Sequence, residues 1–303
     1  MKLSKARLAI LALITANIIW GAAPPIFKWA LNDIHPYTLA LLRFALPALI
    51  MYPFVRGRLK VHPKDWLNVI LIGFFGITIN IIFFFQGLLQ APSINAALIG
   101  SSAPIFIILY ALFFMRSDKP KKKLITGALI GLLGVLLVLI TPLFKNGNIA
   151  ALGNMYYLIG MLGGVIAILL VRKVMKRNNP AAITFWSFVI GSIGFIPFFI
   201  QEVGTYGFLP QVNLQVIVGL GFGIFLSSLA AYFLQTWALK YLTASDVSVF
   251  IYIDPVVTIL IAAPLLGEFP DAVFVFGTVF VLLGILLAEG RFHYHPFHLF
   301  LKR

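Results

Sequence analysis

Two ionisable residues stand inside long apolar stretches of this 303-residue chain, Arg43 and Asp254. A charge at the centre of a bilayer costs about 2.5–3.5 kcal/mol on insertion scales, so such groups are functional candidates by default. At 1.5 Å rise per residue and a hydrocarbon core about 30 Å thick, Arg43 is expected about 9 Å from the outer boundary and Asp254 about 14 Å from the inner one. Arg43 is suited to attract a carboxylate or phosphate, and Asp254 to take up a proton or an amine. Two structural roles compete with that chemistry. One is an Arg43–Asp254 ion pair; the other is separate contacts to the carbonyls that Pro47 and Pro255 leave without helical donors.

Other polar residues fall into stripes. Asn17, Trp20, Pro24 and Lys28 recur at three- and four-residue steps, which is one face of a helix. Such a face inside a bilayer is expected to look into a cavity, with Trp20 as a stacking wall; Lys28 is expected to snorkel to the outer interface. Ser228, Tyr232 and Gln235 repeat the spacing, as do Ser248, Tyr252 and Pro255. Asn80, Gln86, Asn95 and Ser102 add amides and a hydroxyl. Any one of these serves equally well as an interhelical hydrogen bond worth about 0.6 kcal/mol; only the set argues for a binding cavity. The candidate substrate-binding residues are therefore Asn17, Trp20, Arg43, Asn80, Asn95, Tyr232, Gln235, Tyr252 and Asp254.

Several chemistries are excluded. The chain has no cysteine, so it holds no disulfide and no thiolate nucleophile or ligand. His35, His62, His293, His295 and His298 fall in loops or in the tail, and the tail spacing HxHxxH is interrupted by Pro296. No cofactor or metal site is expected, and no catalytic pair is available to an intramembrane enzyme.

These residues must be positioned by apolar helices. Hydrophobic residues make up 61%, charged residues 11%, and the mean hydropathy is +1.02. Ten apolar runs occur, near 8–31, 37–55, 66–89, 93–115, 124–143, 153–171, 181–200, 214–239, 245–266 and 270–288, which predicts an all-α integral membrane protein of ten transmembrane helices. Lysine and arginine number three at the amino end, four between runs two and three, five between four and five, four between six and seven, one between eight and nine, and three in the tail. Lys28 and Lys145 alone fall on the other side. The positive-inside rule then places both termini in the cytoplasm. The net charge of +14 is thus a topology signal, dispersed over short loops rather than gathered for nucleic acid.

The chain also resembles itself. A shift of 144 residues lays Pro36 on Pro180, Phe44 on Phe188 and Pro53 on Pro197; a shift of 150 lays GALIGLLGVLLV (127–138) on GTVFVLLGILLA (277–288). Two five-helix halves follow, 1–145 and 146–303, and because five is odd the second enters the membrane inverted. Secondary transporters are built this way, with the substrate site near the midplane between the repeats. Gly127, Gly131, Gly134, Gly277 and Gly284 are expected to permit close helix packing.

ANIIWGAAPPIFKWAL (16–31), HPYTLALLRF (35–44), QAPSINAALIGSSAPIF (90–106) and LKYLTASDVSVFIYIDPVVTILIAAPLLGE (239–268) resemble EamA-type members of the drug/metabolite transporter superfamily. The resemblance implies a ten-helix carrier of small metabolites, often an exporter, with a central cavity and with helices five and ten at the periphery. In the first half Arg116-Ser117-Asp118 replaces the Gly267-Glu268 of the second. One cation and one anion beside amides, hydroxyls and aromatics suit an amino acid or similar zwitterion. The expected partners are that small molecule, membrane lipids and, through Asp254, protons. A lipid or lipid-linked sugar flippase and a non-transporting membrane scaffold are the alternatives.

Overall fold

Helix starts and stops follow local chemistry. The computed structural model describes residues 4–114, 122–144, 147–207, 212–242, 247 and 249–289. The Ser4 hydroxyl accepts from the Arg7 amide and opens α1 (Lys5–Ala30). Proline at the first position opens α2 (Pro36–Val55), where its missing N–H costs nothing. There follow α3 (Pro63–Gln90), α4 (Ser93–Gly100), α5 (Ala103–Phe114), α6 (Lys122–Phe144), α7 (Asn148–Val174), α8 (Pro180–Tyr206), α9 (Leu214–Ala238), α10 (Ile253–Leu266) and α11 (Ala272–Glu289). No strand occurs among the described residues. Among the described residues, seven helices are long and apolar enough to cross a membrane, and three shorter apolar helices accompany them, Ser93–Ile107, Phe250–Leu266 and Ala272–Gly284.

Three details depart from the smooth runs read in the sequence. The run at 93–115 is broken at Ser101 and Ser102, whose hydroxyls donate to the Leu98 and Ile99 carbonyls. In the run at 245–266 a 3-10 turn, Val249–Tyr252, precedes α10. Both α3 and α9 carry π-helical segments, Phe74–Ile79 and Phe222–Ala230.

Packing follows two patterns. α2 lies against α8, and α6 against α11, along much of their lengths. α1 packs between α9 and α10, while α7 packs against α3 and α4. The glycines behave as expected in the α6–α11 seam: a Cβ at Gly134 would stand 2.6 Å from the Gly277 carbonyl, and one at Gly284 2.6 Å from the Gly127 carbonyl. The outer faces of this pair expose Leu129, Leu133 and Phe276, as lipid-facing helices do.

Proline chemistry ties α1 to α10. Pro25 has no N–H, so the Gly21 carbonyl lacks its helical donor, and the Thr258 hydroxyl donates to it at 2.6 Å. Gly21 makes that approach possible, since a Cβ there would stand 2.9 Å from the Asp254 carbonyl. At its other end α10 stops at Gly267, whose φ of 66° is left-handed, with its amide on Ala263 and that of Glu268 on Ala262. That turn aims Glu268 back at α1 and α4.

Candidate functional site

A central cavity of about 250 Å³ is lined by α1, α2, α3, α4, α5, α7, α8, α9 and α10. Along α7 its lining runs from Tyr157 to Val171, about 21 Å at helical rise. Seven of the nine residues expected from the sequence line it: Asn17, Trp20, Arg43, Asn80, Tyr232, Gln235 and Asp254.

Arg43 is 2% exposed and held on three sides. Its Cζ lies 4.3 Å from the centroid of the Phe27 ring, 4.8 Å from Phe44 and 5.7 Å from Phe85. Its Nη2 donates to the Ser227 hydroxyl at 2.9 Å and its Nε to that of Ser228 at 3.5 Å. Nη1 has no partner. No ion pair joins Arg43 to Asp254, whose Oδ1 is likewise buried and without a partner, and the guanidinium bonds hydroxyls rather than the carbonyls beside Pro47. Both structural roles weighed for Arg43 from the sequence are thereby replaced.

Trp20 donates from Nε1 to the Ser227 carbonyl at 3.1 Å and meets Tyr232 edge to face, ring centroids 5.2 Å apart. Asn17 is fully buried; its Nδ2 donates to the Leu13 carbonyl and its Oδ1 is left over. Asn80 donates to the Gly160 carbonyl at 2.7 Å from the cavity wall. Thr184 and Ser187 on α8 also line the cavity, and the Thr184 hydroxyl has no partner. Sequence reasoning missed Thr184 and Ser227. Thr184 gives only a one-turn spacing to Ser187, and Ser227 lies off the Ser228–Tyr232–Gln235 stripe until the π-helical segment brings it in.

Two of the expected residues lie off the central cavity. Asn95 turns away from the central cavity: its Nδ2 donates to Asn154 Oδ1 at 3.0 Å, and it borders a separate cavity of about 450 Å³ beside Glu268. The break at Ser101–Ser102 ends α4 just beyond it, so only Ala96, Ala97 and Gly100 of α4 reach the central site. Tyr252 does not line the cavity either, because the 3-10 turn that carries it takes its side chain off the face shared by Ile251 and Asp254. Ser248 and the tail histidines lie outside the described residues.

The end of the cavity beyond Phe27, Phe84 and Tyr157 is shut by polar contacts. Lys28 does not snorkel: its Nζ donates to Glu268 Oε1 at 2.8 Å and to the Ala91 carbonyl at 2.7 Å. Glu268 Oε2 accepts from the Ser93 amide at 2.7 Å, the Ser93 hydroxyl at 2.6 Å and the Ile94 amide at 3.2 Å, so it caps α4 from α10. At the same end Glu202 of α8 caps α2, accepting from the Tyr37 and Thr38 amides at 2.9 and 2.8 Å.

The described residues contain no cluster of histidine and carboxylate side chains arranged to hold a metal. The lining offers one cation, one carboxylate, hydroxyls, amides and aromatic faces, which is a surface for binding rather than for bond making.

A family model described as the EamA-like transporter family matches residues 7–140 and 151–289. An uncharacterized transporter of Archaeoglobus fulgidus is 25% identical over 292 residues, covering 93% of this chain and 98% of its own length. The uncharacterized transporter YyaM of Bacillus subtilis is 29% identical over 289 residues, 90% of this chain and 91% of its own. An S-adenosylmethionine uptake transporter of Rickettsia bellii is 22% identical over 276 residues, 87% and 88% respectively. A chain in a crystal structure superposes with a TM-score of 0.63 at 17% identity, covering 92% of this chain and 96% of that one. That last likeness concerns the fold alone.

Proposed function

Because this chain belongs to the EamA-like transporter family, we propose that its central cavity carries an amino acid or a related zwitterion across the membrane by alternating access. The chain is a multi-pass membrane transporter and not an enzyme. Its halves, 1–145 and 146–303, are read as inverted repeats of five membrane-crossing helices each, with both termini cytoplasmic. Three observations support the repeat. The family model matches twice. The π-helical segments fall at corresponding places in the two halves. The packing pattern exchanges under the repeat, with α2–α8 and α6–α11 mapping onto themselves and α1's contacts with α9 and α10 answering α7's with α3 and α4.

The single observation that carries the substrate class is that Arg43 and Asp254 line one cavity and that each has a buried atom, Nη1 and Oδ1, without a partner. A buried polar atom without a partner costs about 1–3 kcal/mol, and a bound carboxylate and ammonium recover that cost. Asp254 is also the group read as the proton carrier, since it is the only carboxylate in the lining among the described residues. Export as the direction rests on the resemblance; the Rickettsia relative is named for uptake.

Counterflow in proteoliposomes tests this, with amino acids, S-adenosylmethionine, nucleosides, sugars and cationic drugs, with and without a pH gradient. Exchange of zwitterions is expected. Exchange confined to nucleosides or sugars, or movement of labelled lipid without any solute, overturns the reading. Orientation is tested separately, and the absence of native cysteine makes the labelling clean. Cysteines at Asn32, Asn146 and Gly204 should label from outside, and those at Arg58, Lys121 and Lys176 only after permeabilisation.

A further inference from the structure

We propose that Ser227 and Ser228 are positioning residues that decide which edge of Arg43 a substrate meets, and so make the site selective for a single carboxylate over a phosphate or phosphonate. The inference rests on the zwitterion reading above and adds to it the determinant of anion class. A guanidinium can be approached on two faces and along its edges. Here Phe27 and Phe44 stand within cation–π distance, and the Ser227 and Ser228 hydroxyls take the Nη2 and Nε side. What remains without a partner is the Nη1 end, which is itself buried, so a ligand meets it only once that corner of the cavity opens. All three residues are buried, both serines fully, so the arrangement is not averaged by solvent.

The π-helical segment Phe222–Ala230 builds this corner. Gly223 lets it approach α2, since a Cβ there would lie 3.3 Å from Arg43 Cβ. Ser227 then serves two partners, its hydroxyl holding Arg43 and its carbonyl holding the Trp20 indole. The cation and the aromatic wall are thus set by one residue. A carboxylate can be met by one guanidinium end. A phosphate or phosphonate presents three oxygens and up to two charges, and calls for several donors and more than one cation. A carboxamide has the shape of the acid without its charge.

The test uses the full chain in proteoliposomes and measures competition of L-leucine, L-methionine and L-phenylalanine against their carboxamides and aminophosphonates. Wild-type protein should prefer each acid over both analogues. Ser227→Ala should raise the half-saturation concentration for the acid about tenfold, as expected for one lost hydrogen bond to a charged group, and Ser228→Ala, whose contact is 3.5 Å, should raise it less, both leaving the maximal exchange rate unchanged. The same variants should reduce the preference for acid over phosphonate, and Ser227→Thr should restore it. Alanine leaves the Ser227 carbonyl and its hold on Trp20 in place. Unchanged half-saturation and unchanged preference in both alanine variants, alongside their loss in Arg43→Gln, would overturn the assignment and leave the zwitterion reading standing. Failure of all three acids to exchange, with Arg43→Gln indistinguishable from wild type, overturns the zwitterion reading itself.

Discussion

Lys28 and Glu268 at one end of the molecule, and Arg43 and Asp254 in its middle, are two pairs of opposite charge treated in opposite ways. Glu268 uses both oxygens, one on Lys28 and the other on the first turn of α4, while Lys28 adds the Ala91 carbonyl. Arg43 and Asp254 never meet, and each keeps an atom without a partner although both face the same cavity. Satisfied charges fasten helices together; unsatisfied ones are tolerated where a second state or a ligand completes them. The first pair ties α1, α4 and α10 together at the closed end, and the second lies where a solute would bind.

The strongest way to break this comparison is to remove the central charge. Arg43→Gln should lower zwitterion exchange by about 10- to 100-fold, matching the 1.5–3 kcal/mol of a hydrogen bond to a charged group, with insertion and fold retained by circular dichroism. A variant that transports normally would assign Arg43 to packing. Asp254→Asn comes next: accumulation driven by a pH gradient should vanish, while substrate-for-substrate exchange persists, since the amide imitates the protonated acid. Gradient-driven accumulation at wild-type level in stable Asp254→Asn protein would remove the proton role.

Glu268→Gln probes the other pair. It removes the negative charge facing Lys28 and weakens the α4 cap, so the closed end should open about 5- to 30-fold more often, for a loss of 1–2 kcal/mol. A cysteine at Ala96 in this background should then label faster from the Lys28 side; an unchanged rate would mean that the bridge holds no gate. Trp20→Ala should weaken substrate by about 1–3 kcal/mol if the indole stacks on it, read as a raised half-saturation constant. The smallest effect is expected at Asn95, which lies off the central cavity, so Asn95→Asp should leave transport within about twofold. A large loss there would make the second cavity part of the pathway.

Helix positions were legible because twenty apolar residues in a row have few other solutions, and the described helices begin and end within a few residues of the expected runs for α1, α2, α3 and α9. The seven expected residues that share the central cavity stood out because polar groups inside apolar runs are costly and therefore conspicuous. Thr184 and Ser227 did not, since single hydroxyls in apolar helices are common and give no spacing of their own. Asn95 and Tyr252 were misplaced for a related reason: a stripe drawn with uniform helical rotation fails across the Ser101–Ser102 break and the Val249–Tyr252 turn. Lys28 was misread because its partner lies 240 residues away.

Composition and periodicity by themselves determined that this chain is helical and apolar throughout, that few charges enter its spans, and that its halves resemble each other. Those properties follow from the cost of placing polar groups in hydrocarbon, which acts on each residue where it stands. Which charges are satisfied and which are left open was decided only by tertiary packing. The Gly21 carbonyl left open by Pro25, the turn at Gly267 and the π-helical segment of α9 act through partners brought close by the fold, and a hydrogen bond between residues two hundred positions apart has no signature in either of their neighbourhoods.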